Sequence, residues 1–397
     1  KMLLKNHPHD SICGCSVDEV HDEMMTRFLQ TEQLANEIIS KGLNKLAYKV
    51  KKGSIIVYNA SDYPFKGVLK VKTRNIIPEN LKSQYLKSEY KFPQEILNNI
   101  QRAPVQEDIQ KYNEYLIWVD NICPNSISII DNNYKSLNYP AVVEIGPNFI
   151  KNSIITLKIN KDGALSLTDH ISGKEFHHLH IFEDRADIGD TYNFCPILGD
   201  IPIKSKFINA EIIEKGELRG ILRLNHEIFI PEKFDKTTNS RAVKTNLHLI
   251  MVDIIVHAGS RRVEFKTSWE NLSKDHILQL KFNLNNKIFK TVSEDNFGLI
   301  ERNFDPDYSL SEHMPAEKNA ELKTNTAPMQ RFVWANGLGI ITEGLQEYGI
   351  DKNELYITLL RSTGKISNSS FPTREIPAGP PLDTPKAQCI GIHNVRY

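Results

Sequence analysis

The chain has 397 residues, too many for one ordinary hydrophobic core, so about two or three domains are expected. Hydrophobic residues make up 40% and charged residues 25%, the balance of a globular protein. The 49 basic and 49 acidic residues cancel, which argues against a nucleic-acid or membrane-surface partner, and no apolar run approaches the roughly 20 residues that cross a bilayer.

The first notable stretch is KNHPHDSICGCSVDEV, residues 5–20. Lys5, Asn6 and His7 follow Lys1-Met2-Leu3-Leu4 at once, so no secretory signal is read here. In an extended segment His7 and His9 would point to one side and Asp10 to the other. Such residues could supply a metal ligand and a substrate contact but could not complete a site, since a catalytic zinc usually has about three protein ligands. On these residues alone, an exposed surface loop is the better reading.

Ser16 with Glu19 forms the S-x-x-E pattern of a capping box. Behind it Val17, Val20, Met24, Phe28, Leu34, Ile38, Leu43 and Leu46 recur at helical spacing, and Gly53 follows Lys49, Lys51 and Lys52. The spacing predicts one helix over residues 17–50. A helix that long packs in a bundle, so one or two partner helices are expected before residue 1.

From Gly53 the period changes to two. Ile55–Tyr58 and Val68–Val71 read as β-runs around an Asn-Ala-Ser-Asp turn. Residues 80–115 are polar and read as a short helix or a long irregular connection. Alternation returns in YLIWVD, SISIID and AVVEIG. Residues 153–176 read as a hairpin around Lys161-Asp162-Gly163. Further strands are expected at 207–214, 217–229, 246–257, 261–271, 276–283, 330–334, 338–342 and 355–361. So many strands joined by short turns describe an antiparallel sandwich, not a parallel α/β sheet. Residues 304–328 and the proline-rich 371–386 read as long loops, which on a rigid sandwich commonly carry function. The predicted fold class is therefore mainly β: antiparallel β-sandwich domains preceded by a long helix of a helical-bundle middle domain.

The five cysteines, Cys13, Cys15, Cys123, Cys195 and Cys389, are odd in number and scattered, which points to a reducing, cytoplasmic setting. Cys13 and Cys15 are spaced C-x-C with no second pair, which suits two small buried side chains better than a zinc knuckle. His177, His178 and His180 read as an exposed polar strand face. In FEDRADIGDTYNF, Asp184, Asp187 and Asp190 hint at a cation loop but fail the D-x-[DN]-x-[DN]-G spacing. An acidic turn leading into a Tyr192-Asn193-Phe194 strand fits better. No G-x-S-x-G elbow, P-loop or dinucleotide fingerprint is present, and no carboxylate pair is fixed by spacing.

The segment HPHDSICGCS resembles the active-site loop of glycoside hydrolase family 38, the α-mannosidases, in which a His-His-Asp-Ala-Ile-Thr-Gly-Thr type segment precedes a helix. FEDRADIGDTYNFCP, VDIIVHAGSRRVEFKTSWENLSKDH, TAPMQRFVW, GLQEYGI, LLRSTG and PAGPPLDTPKAQCIG resemble, in the same order, the bacterial branch that contains mannosylglycerate hydrolases. Together these matches overturn the surface-loop reading of the first motif.

The resemblance implies that His9 ligates a catalytic zinc and that Asp10 beside it binds sugar hydroxyls. Tyr192 is implied to reach the pocket from the β-region, with Arg361 near it, whereas His7 has no assured role. It further implies a retaining hydrolase of α-mannosidic bonds, whose nucleophile, acid/base and remaining zinc ligands belong to an N-terminal barrel. On that view residues 1–52 are the end of the catalytic region and helical middle domain, 53–147 a small β-domain, and 148–397 a C-terminally incomplete sandwich. The chain alone is then expected to be inactive. The substrate stays open among plain α-mannosides, mannosylglycerate and its 6-phosphate, and a homodimer through the β-region is compatible. A non-catalytic carbohydrate-binding or scaffold β-protein is the alternative.

Overall fold

A computed structural model describes residues 1–51, 53–97, 102–131, 133–134, 136, 138–369 and 371–397. Residue 52, at the expected helical–β boundary, and residues 98–101 of the polar 80–115 segment lie outside the described residues.

The first element is not extended. Leu3–Asn6 forms a 3-10 turn and His9–Ile12 a short helix that starts at Pro8, whose carbonyl accepts the amides of Ser11 and Ile12 at 3.0 Å each. Proline's fixed φ pre-sets this start. The main helix runs Asp18–Ala47, shorter at both ends than its periodicity suggests. Ser16 does not cap it: the N-cap is Val17, with no side-chain cap bond. A tertiary contact holds that end instead. Asp18 Oδ1 accepts from Thr384 Oγ1 at 2.6 Å and its Oδ2 from the Lys386 amide at 3.1 Å, which ties the helix start to the proline-rich loop. Met24 is the helix's one buried residue, fixed where buried Asn6 donates to its carbonyl at 3.0 Å.

The two early β-runs do not form a hairpin with each other. Ile55–Asn59 pairs with Ser126–Ile130, and Phe65–Thr73 pairs with Gln110–Ile122. The third strand of that sheet is Ser83–Lys91, which lies in the segment read as helix or connection. Its polarity misleads because one edge of this small sheet faces water. Within Gln110–Ile122 the segment Leu116–Val119 is buried on both faces, which explains its unbroken apolar run. Leu116 and Trp118 enter the large core, while Ile117 and Val119 enter a smaller one with Ile77, Leu81 and Ile130. Each such buried aliphatic side chain contributes roughly 1.5–3 kcal/mol.

The body of the chain is an antiparallel sandwich. A ten-stranded sheet packs on a five-stranded one built from Lys206–Lys215, Arg219–Pro231, Thr245–His257, Val263–Asn271 and Gly391–Arg396. Arg219–Pro231 alternates half-buried and buried positions and sends Leu222, Leu224, Ile228 and Ile230 into the shared core. The expected hairpin is present: Ile155–Ile159 pairs with Leu165–Asp169, and Gly163 takes a φ of +83° between them.

The expected strand at Tyr192-Asn193-Phe194 is absent, and those residues belong to an irregular loop. The histidine cluster is also not a uniform exposed face. Glu175–Ala186 carries two register shifts, with positive φ at His178 and His180, which leave His177 and His178 in solvent and turn His180 inward. His180 stacks on Phe265 and Tyr397 and bonds the Tyr397 hydroxyl at 2.7 Å. Of the C-x-C pair only Cys15 is buried, while Cys13 is exposed. All five cysteines are free thiols.

Candidate functional site

Three aspartates spaced three residues apart dominate the site, and each is buried against an arginine from a distant segment. Asp184 accepts from Arg241 Nη1 at 2.7 Å and from His276 Nδ1 at 2.5 Å. Asp187 accepts from Arg361 Nε at 2.9 Å. Asp190 is paired with Arg374 Nη2 at 2.5 Å. Asp184 and Asp190 have no exposure and Asp187 has 1%, so an unpaired carboxylate at any of these positions would be very costly. The turn is thus an array of ion pairs and not a cation loop.

Side chain and backbone together shape the loop from 187 to 195. Asp187 Oδ1 accepts the amides of Gly189 and Cys195 at 3.0 Å each. Asp190 Oδ1 accepts those of Tyr192 and Asn193 at 3.0 Å, and its Oδ2 that of Asn368 at 2.7 Å. Gly189 is required by close approach, because a Cβ there would stand 1.9 Å from the Asn193 carbonyl oxygen. The product of this folding is a fixed Tyr192, 36% exposed at the loop's tip.

Arg374 holds Tyr192 from below. It is 2% exposed, donates through Nε to Ile376 O at 2.7 Å, bonds Asn193 Oδ1, and lies 4.7 Å over the Phe371 ring and 5.9 Å over that of Tyr192. Gly379 lets the proline-rich loop pass beside the tyrosine, since a Cβ there would come within 3.1 Å of the hydroxyl. Burial pushes the Tyr192 hydroxyl above its ordinary pKa. Cys15 and the Asp10 and Asp190 carboxylates push the same way, and Arg374 opposes them. It therefore stays a phenol at neutral pH, able both to donate and to accept.

The His9–Asp10 segment docks against this loop through Cys15, whose thiol meets the Thr191 carbonyl at 3.9 Å. Asp10 is close enough to Tyr192 to act on its ionisation. His9 faces solvent with its side chain 91% exposed, and its Nε2 lies 3.3 Å from Asp10 Oδ1. Asp10 is half-exposed. The Cys15 amide donates to the Asp10 carbonyl at 2.8 Å, so the Cys15–Thr191 contact ties the exposed His9–Asp10 segment to the residue before Tyr192. Arg361 serves the turn instead: its Nη2 donates to the Asp190 carbonyl at 3.0 Å, and the whole guanidinium braces the 187–190 turn.

A β-bulge aims Arg361 there. Leu278 pairs with Leu360 but Gln279 with Thr358, so one extra residue, Leu359, sits in the partner strand. Were Leu359 in regular register, alternation from core-facing Ile357 would turn Arg361 into the sandwich core. Arg374, Asp187 and Asp190 are not legible as site residues in the sequence. The sequence offers the even aspartate spacing and a proline-rich loop, and neither gives the pairing.

Among the described residues no group of three or more His, Cys, Asp or Glu side chains could hold a metal ion. His9 and Asp10 offer at most a partial ligand set, so this chain's own residues do not form a closed zinc site.

Residues 150–367 match the family described as Glycosyl hydrolases family 38 C-terminal domain, and the chain belongs to that family. It is 23% identical over 457 residues to a Halalkalibacterium halodurans protein named "Putative mannosylglycerate hydrolase", with all of this chain covered and 48% of that protein. Its fold matches a family 38 glycosyl hydrolase from Enterococcus faecalis with a TM-score of 0.80 at 22% identity, over all of this chain and 50% of the other. A second Enterococcus faecalis structure, an α-mannosidase, matches with a TM-score of 0.77 at 22% identity, over 49% of its length. The chain therefore spans about half the length of the relatives it matches. Among the described residues, no helix is long and apolar enough to cross a membrane.

Proposed function

We propose that this chain forms the substrate-holding wall of a retaining, zinc-dependent α-mannosidase pocket. The observation that carries the reading is the Tyr192 loop, locked by two buried Asp–Arg pairs and tied through Cys15 to the segment that carries Asp10. Asp10 accepts hydrogen bonds from sugar hydroxyls, and the Tyr192 phenol donates to or accepts from a neighbouring one. Rigid support from Arg374 keeps both in register without a cost at the moment of binding. The carboxylates that attack the anomeric carbon and protonate the leaving oxygen are not assigned to this chain. On this reading they belong to the part of its relatives' length that this chain does not span. Zinc, when bound, would template and polarise hydroxyls, with His9 as one of its ligands. The name of the Halalkalibacterium halodurans relative favours an α-mannoside with a glycerate leaving group as one substrate to test. Five free thiols support a cytoplasmic setting.

The test is hydrolysis of 4-nitrophenyl α-D-mannopyranoside. The 397-residue chain alone is expected to give no turnover. Joined to the catalytic half, it is expected to cleave with retention. His9→Ala should then lower both zinc content and rate, and Asp10→Asn should lower the rate by at least about 100-fold, the loss of a charge-assisted contact in the transition state. Unchanged metal content and unchanged rate in His9→Ala would end the proposal.

A further inference from the structure

The two register shifts in Glu175–Ala186 put a polar side chain where a sandwich core ordinarily takes an aliphatic one. His180 holds a φ of +67°, a conformation that non-glycine residues seldom keep without a compensating contact, and its ring enters the space where three sheets meet. That space is a cavity of about 280 Å³. Leu165, Leu179 and Phe282 of the ten-stranded sheet line one side of it. Phe265 of the five-stranded sheet and Tyr397, whose backbone pairs with it, line a second, and Leu338 of a four-stranded sheet lines the third. None of His9, Asp10, Tyr192, Arg361 or Arg374 borders it, so it stands apart from the proposed mannoside wall.

One polar atom of this lining is left over. His180 is 1% exposed, and its Nε2 lies 2.7 Å from the Tyr397 hydroxyl, itself 2.6 Å from Thr267 Oγ1. Its Nδ1 has no hydrogen-bond partner among the described residues. A buried polar atom is seldom left so unless water or a ligand completes it. Burial holds the ring neutral near pH 7, which gives Nδ1 one of two roles. If Tyr397 donates to Nε2, Nδ1 carries the proton and donates; if Nε2 donates to Tyr397, Nδ1 accepts. A hydroxyl satisfies either case.

The rest of the wall selects an apolar body. Phe265 stacks on the imidazole at 4.6 Å, and Phe282 meets it edge-on. An anionic head finds no free cation at the mouth, where Arg261 is paired with Asp169 and Arg262 with Glu264 at 2.7 Å. Lys266 and Arg396 stand opposite each other and alternate with the inward-facing Phe265 and Tyr397, so their side chains take the other face of the sheet. A dry cavity of about 150 Å³ already admits benzene, so a ring bearing one substituent fits here.

We propose that this cavity binds a small neutral aryl alcohol, its ring among Phe265, Phe282 and the leucines and its hydroxyl on His180 Nδ1. Calorimetric titration of the full chain with phenol, toluene and benzoate tests it. Phenol should bind saturably, and toluene and benzoate at least about fivefold more weakly, the loss of one hydrogen bond. In His180→Phe, phenol should fall to the level of toluene, because only the hydroxyl contact is removed. If that variant does not fold, Leu338→Trp fills the cavity from the half-buried opposite side and should abolish binding of phenol and toluene alike. Asp10→Asn should leave phenol binding unchanged, which separates this site from the mannoside wall. No saturable phenol, toluene or benzoate as tight as phenol, or undiminished phenol binding in His180→Phe or Leu338→Trp would each overturn the assignment. Loss of phenol binding in Asp10→Asn would overturn it as well, since it would place the ligand at Asp10.

Discussion

The Asp190–Arg374 pair gives the most direct test of how this loop is built. Replacing Arg374 by Met keeps most of the side-chain volume and removes the charge, leaving Asp190 at 0% exposure without its counter-ion. Breaking a buried pair from one side costs about 3–5 kcal/mol. Here the lower figure applies, because Asp190 keeps three backbone donors, the amides of Tyr192, Asn193 and Asn368 at 3.0, 3.0 and 2.7 Å. With a urea dependence of about 3 kcal/mol per molar, the midpoint should fall by roughly 1 M. Trp118 and Trp269, buried in the large core, report the transition by fluorescence. Asp190→Asn should cost at least as much, since it strands the guanidinium. The double variant Asp190→Asn with Arg374→Met should be milder than the sum by about 1–3 kcal/mol, the coupling of residues in direct contact. Single variants within about 0.3 M of the parent, or strict additivity, would refute the argument that these charges hold the loop.

Stability should also fall on acidification from about pH 6.5 toward pH 4. Burial, with repulsion from His226, pushes the His180 pKa down to about 3, and burial alone brings His226 to about 4. The unfolded chain therefore binds more protons than the native one throughout that window, so stability rises with pH, by about 1.4 kcal/mol per unit for each histidine fully inside it. Urea midpoints between pH 4 and pH 7 should show this slope, and it should be shallower in His180→Phe; equal slopes would count against a neutral buried His180. Cysteine reactivity gives an independent check of burial. With iodoacetamide at pH 8, peptide mass spectrometry should find the exposed Cys13 and Cys123 modified first, and Cys195, whose thiol burial pushes up to about 11, modified last. Early labelling of Cys195 would contradict its place behind the aspartate turn.

Local periodicity carried much of this architecture. The hairpin around Gly163 and the long strands of the five-stranded sheet are legible because each buries one face, and burial of one face imposes a period on the sequence; the helix is legible from its apolar period although Met24 is its one buried residue. Tertiary contacts overrode it in particular places. Ser16 has the composition of a cap, but the better partners of Asp18 on a loop more than 360 residues away hold that helix end. Ser83–Lys91 is too polar to be recognised as a strand by its own pattern, and its pairing with Gln110–Ile122 makes it one.

For the site, the amino-acid order by itself determined which chemical groups are available: an imidazole and a carboxylate at 9 and 10, a tyrosine after an acidic turn, and family-like segments in a fixed order. Only the folded chain decided how they are used. It spent Arg361 as a brace and brought Arg374 under Tyr192. The reason is that side-chain identity is a local property of the chain. The partner of a buried charge is instead set by strand register, and here a single extra residue at Leu359 decides on which side of the sheet that charge stands.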